Sequence, residues 1–203
     1  MLTRRHFIMT AAAMAATPVF GQDAVGFDDT VVRRLAQGPN PWGLHERFMP
    51  TVVQARAGLN PGDLHVDPVA RYLYLIREDG QTALRYGVAV GRSGLQSPGT
   101  YTIRRKVEWP NWRPTDAMIA REPEVYAQYA DGVQGGPDNP LGARALYLYE
   151  GNRDTYLRIH GTPQPWSIGT SASSGCVRMV NEHVIDLYPR VPMGTRVTLH
   201  APV

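Results

Sequence analysis

A chain of 203 residues with 43% hydrophobic content is long and apolar enough to bury a core without disulfides or metals, which argues against a disordered protein. Its 20 glycines and 17 prolines are spread along the chain, the texture of many short strands joined by turns rather than of a helical bundle. The formal charge of +3 says little about partners: residues 1–21 hold Arg4 and Arg5 and no acid, so without them 21 basic side chains become 19 against 18 acids, +1, and no run of like charges points to nucleic acid or a membrane surface.

The first residues read as an export signal. Thr3-Arg4-Arg5-His6-Phe7-Ile8 precedes an apolar stretch from Met9 to Phe20, and Val19-Phe20-Gly21 ends in the small residue expected at a cleavage site. The stretch is too short to be a membrane span. The arginine pair before Phe7 matches a twin-arginine signal; a general-secretion signal with two arginines is the alternative. Residues 22–61 form an N-terminal extension of irregular texture. Asp29 and Thr30 are placed to cap a short helix through Val31, Val32 and Leu35, stopped by Gly38-Pro39. A second short helix or coil is expected between His45 and Ala57.

From Asp63 the pattern changes. Leu64–Asp67, Tyr72–Ile76 and Tyr86–Val90 are rich in β-branched and aromatic residues, and Asp79-Gly80 marks a hairpin turn. Gly91 to Gly99 reads as a loop and Thr100–Ile103 as another strand. Strands at this spacing without alternating helices predict an antiparallel sandwich or barrel. Residues 108–143 interrupt it with Trp109-Pro110-Asn111-Trp112-Arg113-Pro114, a short helix capped by Thr115, and a turn-rich run from Gly135 to Gly142. An insertion of this length in a β domain reads as a lid or substrate wall. Strands resume at Ala145–Tyr149 and Tyr156–Ile159. A helix follows, with Asn181 as its cap, Val184, Leu187 and Tyr188 on one face, Val180 and Ile185 as a hydrophobic staple, and Pro189 as its end. Gly194 to His200 supplies a closing strand. The fold class is therefore mainly β, with short helices and a long lid-like insertion.

Cys176 is the single cysteine, in Ser173-Ser174-Gly175-Cys176-Val177-Arg178, with His160 sixteen positions upstream in Ile159-His160-Gly161-Thr162. A lone thiol in an exported chain is inert filler, half of an intermolecular bridge, or a reactive group. A free thiol in an oxidising compartment is a hazard unless used, and a loop of small residues suits a site better than a core strand. Thiol catalysis needs a base near the sulfur and donors for an oxyanion. His160 at a strand end supplies the first, and the N–H groups of Gly175 and Cys176 the second. A helix start shortly after Cys176 would favour thiolate. His45, His65, His183 and His200 are scattered without metal-ligand spacing, and His183 reads as a surface residue. No cofactor is implied.

Taken together, Ile159-His160-Gly161-Thr162, Pro165-Trp166-Ser167-Ile168-Gly169 and Ser173-Ser174-Gly175-Cys176-Val177-Arg178-Met179 resemble the signature of the L,D-transpeptidase (YkuD-type) family. Trp112-Arg113-Pro114-Thr115, Gly136–Gly142 and Ser97-Pro98-Gly99-Thr100 extend the resemblance, so that residues 62–201 correspond to its catalytic domain. The resemblance implies peptidoglycan stem peptides as partners and the bacterial periplasm as location. It implies Cys176 as nucleophile on the diaminopimelate of a tetrapeptide stem, release of D-alanine, and transfer of the acyl group to an amine in a 3→3 crosslink. Water, a D-amino acid or an envelope protein are alternative acceptors, and a non-catalytic wall-binding domain is the alternative to an enzyme. His160 corresponds to the base. Arg178 either holds a substrate carboxylate or bonds loop carbonyls, Ser173 orients His160 or lines the pocket, and Trp112 either walls the stem peptide or packs in the core. Ser174 is a departure, because the family usually has histidine there; it is expected to alter loop hydrogen bonding or acceptor preference.

Overall fold

The computed structural model describes residues 40–202 and the backbone of 31–34; the expected export segment lies outside the described residues. The strands are β1 (Val31–Arg34), β2 (Thr51–Gln54), β3 (Leu64–Asp67), β4 (Tyr72–Ile76), β5 (Thr82–Gly87), β6 (Gly99–Glu108), β7 (Arg144–Glu150), β8 (Arg153–His160), β9 (Val177–Arg178) and β10 (Arg196–Leu199). They form one ten-stranded sheet in the order β1-β2-β5-β4-β3-β10-β6-β7-β8-β9. Neighbours are antiparallel except β3 with β10 and β8 with β9.

This sheet curls until its distant parts meet. Beyond β5 the chain runs on to Ala89, which exchanges two backbone hydrogen bonds with Arg178 at the far edge (2.9 and 2.8 Å). The alternation of side chains explains what lies inside. Leu73 and Leu75 of β4 point into an apolar cluster with Leu84, Ile103, Leu146, Leu148, Ile159, Val177 and Val197. Tyr72, Tyr74 and Ile76 point the other way, onto Phe48, Met49, Val53 and Ile168. Both faces of β4 are thus buried, and residues 44–49 close the second face. Each fully buried Leu or Ile contributes about 1.5–3 kcal/mol by leaving water.

The expected helix at Val31–Leu35 is instead a strand at Val31–Arg34, paired antiparallel with β2; Leu35 lies outside the described residues. Adjacent valines are stiff at χ1 and favour extended backbone, and β2 provides the edge to pair with. Between His45 and Ala57 the chain forms one 3₁₀ turn, Glu46–Phe48, and then β2.

The insertion leaves and returns at one point, where the Trp109 N–H donates to the Ala143 carbonyl (2.9 Å) and Arg144 pairs with Glu108 (3.1 Å). It carries α1 (Asp116–Arg121), capped by the Thr115 hydroxyl on the Met118 N–H (3.2 Å), and α2 (Pro123–Tyr126), with proline in its first turn. Buried Asn139 shapes the turn-rich part: its Nδ2 donates to the Val133 and Gln134 carbonyls and its Oδ1 accepts from the Leu141 N–H.

The last helix, α3 (Asn181–Arg190), buries Val184 and Leu187. Two expectations about its start are corrected. Val180, not Asn181, is the cap, because the Asn181 carboxamide accepts from the Ala143 N–H (2.9 Å) and ties the helix to the start of β7. Ile185 is exposed, so it makes no staple with buried Val180. His183 is not a surface residue: it is buried against the Trp42 and Tyr86 rings. Pro189 falls in the last turn, and the helix ends one residue later.

Candidate functional site

The parallel pair β8–β9 positions the site. Ile159 lies opposite Val177 and His160 opposite Arg178. Alternation then puts Arg158, His160, Cys176 and Arg178 on one face and Ile159 and Val177 on the other. The odd positions enter the main apolar cluster. The even ones line a cavity of about 1040 Å³ roofed by the insertion, whose Trp112, Met118, Tyr126 and Tyr129 face it.

His160 is 4% exposed, and its Nδ1 bonds the Gly161 carbonyl at 2.5 Å. With the proton held on Nδ1, Nε2 keeps a lone pair. Burial pushes His160 down to about 3, the Arg178 charge adds to this, and the Gly161 carbonyl opposes it. The imidazole is therefore neutral at neutral pH, the form a general base requires. A side chain at Gly161 would overlap the Asn181 carboxamide, so the glycine lets α3 approach this segment.

Cys176 is half-buried, and its thiol donates to the Tyr156 carbonyl at 3.6 Å. That carbonyl is aimed by a bulge in β8: Tyr147 faces Arg158, but Tyr149 already faces Asp154. Tyr156 takes a left-handed φ of 61°, which costs a non-glycine residue roughly 1–3 kcal/mol. Burial pushes the thiol up, while the Arg158 N–H and the charges of Arg158 and Arg178 act the other way. Resting thiol and imidazole are thus both neutral. The expected helix field does not act directly, because β9 intervenes before α3 begins at Asn181.

The two arginines of this face differ. Arg158 is gripped by both Asp154 oxygens (2.6 and 2.9 Å) and covers the Tyr147 ring at 4.0 Å. Among the described residues the Arg178 guanidinium has no hydrogen-bond or ion-pair partner, and burial lowers it from the usual guanidinium value.

The loop before Cys176 is knotted by Ser173. Its hydroxyl donates to the Cys176 carbonyl (2.5 Å) and accepts from the Gly175 N–H (3.2 Å); the imidazole's Nδ1 partner is Gly161, not Ser173. Gly175 has φ +127°, and a side chain there would press on the Leu95 carbonyl. Ser174 bonds the Tyr126 hydroxyl (3.3 Å). Trp112 packs on the Tyr126 and Tyr129 rings within the insertion rather than in the main core. Cys176, His160, Arg178, Ser173, Ser174 and Trp112 all line the one cavity, and Gly175 backs the loop beside a smaller crevice. Sequence reasoning passed over Arg158, Asp154, Tyr126 and Tyr156. The period-two spacing of Arg158 and His160 was the signal available for the first.

Among the described residues no group of three or more His, Cys, Asp or Glu could hold a metal ion, and no helix is long and apolar enough to cross a membrane.

Fold and cavity define a class: a curled, mostly β domain with a cysteine and a neutral histidine on one face of a strand pair, under a helical insertion. A family model for the L,D-transpeptidase catalytic domain matches residues 61–199, and the chain belongs to that family. A putative L,D-transpeptidase of Fuscovulum blasticum is 32% identical over 92% of this chain and 89% of its own. A probable L,D-transpeptidase of Escherichia coli, ErfK/SrfK, is 35% identical over 63% of this chain, which spans only 40% of that relative. Among solved structures, a Brucella melitensis protein described as a probable carnitine operon oxidoreductase is 51% identical, with 81% of this chain and 98% of that chain covered and a TM-score of 0.53. An Enterococcus faecium L,D-transpeptidase shares the fold at 17% identity, with a TM-score of 0.51 over 70% of this chain and 50% of that one.

Proposed function

We propose that the protein is an exported, cysteine-dependent L,D-transpeptidase that acts on peptidoglycan stem peptides in the bacterial periplasm. The observation that carries this reading is the β8–β9 register, which gathers Cys176, a neutral His160 and the unpartnered Arg178 on one face of one cavity.

His160 Nε2 takes the thiol proton as the sulfur attacks the carbonyl on the L-centre of diaminopimelate in a tetrapeptide stem. Backbone N–H groups at Gly175 and Cys176 face the oxyanion; the Gly175 N–H is released from its 3.2 Å bond to Ser173 to do so. The bond to D-alanine breaks, its nitrogen receives the proton from His160, and a thioester remains. The side-chain amine of a second diaminopimelate then attacks. His160 accepts its proton and returns it to the departing sulfur, leaving a 3→3 amide. Arg178 offers a guanidinium fork to a substrate carboxylate, a pairing strengthened by its partly desolvated position. Trp112 walls the stem peptide from the insertion. These steps use only side chains and backbone of the protein.

Incubating the mature protein with purified diaminopimelate-containing muropeptides tests the reading. Mass analysis is expected to show free D-alanine and crosslinked dimers. Tripeptide alone would make the protein a carboxypeptidase, an exchanged stem would make a D-amino acid the acceptor, and a stem attached to an envelope protein would make that protein the acceptor. Absence of D-alanine release with every acceptor would contradict the reading and favour a wall-binding domain.

A further inference from the structure

The helical tip of the insertion is held over the cavity by something other than a core. Neither α1 nor α2 has a fully buried residue. The tip is tied to the body by polar contacts that converge on one short loop. Tyr126 of α2 meets the Ser174 hydroxyl at 3.3 Å. Glu122, between the two helices, pairs with Arg92 at 2.5 Å, and the Arg92 N–H donates to the Ser173 carbonyl at 3.0 Å. Ser173 in turn fixes the Cys176 carbonyl and the Gly175 N–H. The wall of the cavity is therefore coupled, through two adjacent serines, to the backbone that presents the nucleophile.

We propose that Tyr126, acting through Ser174, is a positioning residue that decides what resolves the thioester, keeping the wall seated so that an amine rather than water takes the acyl group. The proposal rests on the reading given under Proposed function. A thioester in a half-open cavity is attacked by whatever reaches it, and water is always present. An amine on a second stem is bulky and must be held by the walls to compete. With no buried side chain in α1 or α2 to seat the tip, one hydrogen bond shifts its seated population several-fold. Ser174 is short enough to leave room for the tyrosine and supplies the group it bonds.

The test is the ratio of hydrolysed tripeptide to crosslinked dimer at fixed muropeptide concentration, with D-alanine release followed in parallel. Tyr126→Phe and Ser174→Ala are each expected to raise the ratio about threefold or more, the scale of one lost hydrogen bond. The double variant is expected to raise it no further, because either change breaks the same contact. Ser174→Thr keeps a hydroxyl and is expected to restore the native ratio. Glu122→Gln weakens the second tie and is expected to move the ratio in the same direction. An unchanged ratio in Tyr126→Phe, or a double-variant change equal to the product of the single changes, overturns the proposal while D-alanine release by the native protein leaves the transpeptidase reading standing. A native protein that yields tripeptide and no dimer also overturns it, and a native protein that releases no D-alanine overturns both.

Discussion

From one strand pair, β8–β9, Ile159 and Val177 look into a dry apolar cluster while His160, Arg158 and Arg178 look into a cavity, and the two faces obey opposite rules. On the first face the neighbours belong to the buried hydrophobic cluster. On the second, Arg158 is held by Asp154 but the Arg178 guanidinium has no ion-pair partner among the described residues, and Tyr156 sits in a strained conformation. The first face supplies the rigidity the second requires, since a register fixed by Ile159 and Val177 also fixes where the thiol and imidazole lie. Stability and chemistry are divided between odd and even positions of the same few residues.

Substitutions on the two faces should therefore separate cleanly. The largest effect is expected from Cys176→Ala, which should lower D-alanine release by about 10³-fold or more while leaving the melting temperature close to native. Normal turnover in that variant would remove the cysteine from the mechanism. Ile159→Ala, one residue before His160 but on the other face, should cost about 2–5 kcal/mol in denaturant unfolding. A loss below 1 kcal/mol would mean the core face is looser than its burial implies.

Acid should act on the buried histidines as a group. Burial pushes His65 and His183 down to about 4 and His160 to about 3. The unfolded chain binds these protons near the ordinary histidine value of about 6.5, where the folded chain does not. Stability therefore rises with pH over that range and is lost as pH falls from about 6.5 towards 4. A denaturation midpoint unchanged between pH 7.5 and 5 would show these imidazoles to be wetter than their surroundings indicate. The smallest effect is expected from Asp154→Asn, which removes the partner that offsets Arg158. Alkylation of Cys176 should then proceed at lower pH, and Arg158→Gln should shift it the opposite way. Shifts of the same sign in both variants would mean that packing rather than charge controls the thiol.

Much of this was legible before the fold was known, wherever the information was local. Tyr72–Ile76 and Ala145–Tyr149 announce strands by composition, Asp79-Gly80 a turn, and Thr115 a helix cap. The linear pattern around Cys176 and His160 also marks the residues that meet in the cavity. What escaped depends on distant partners. Val31 and Val32 become a strand because β2 lies alongside. Asn181 abandons its capping role because Ala143 presents an unpaired N–H. His183 is buried because Trp42 comes over it from the other end of the chain. The β8 bulge at Tyr156 has no glycine to signal it, and the Tyr126–Ser174 contact joins segments 48 residues apart.

The central claim, that the even face of β8–β9 is a thiol acylation site, is tested most directly by exposing the protein to a carbapenem and weighing it intact. The account predicts an increase of one drug mass, located at Cys176 by peptide mapping and absent from Cys176→Ala. No increase, or a label at any other residue, would contradict it.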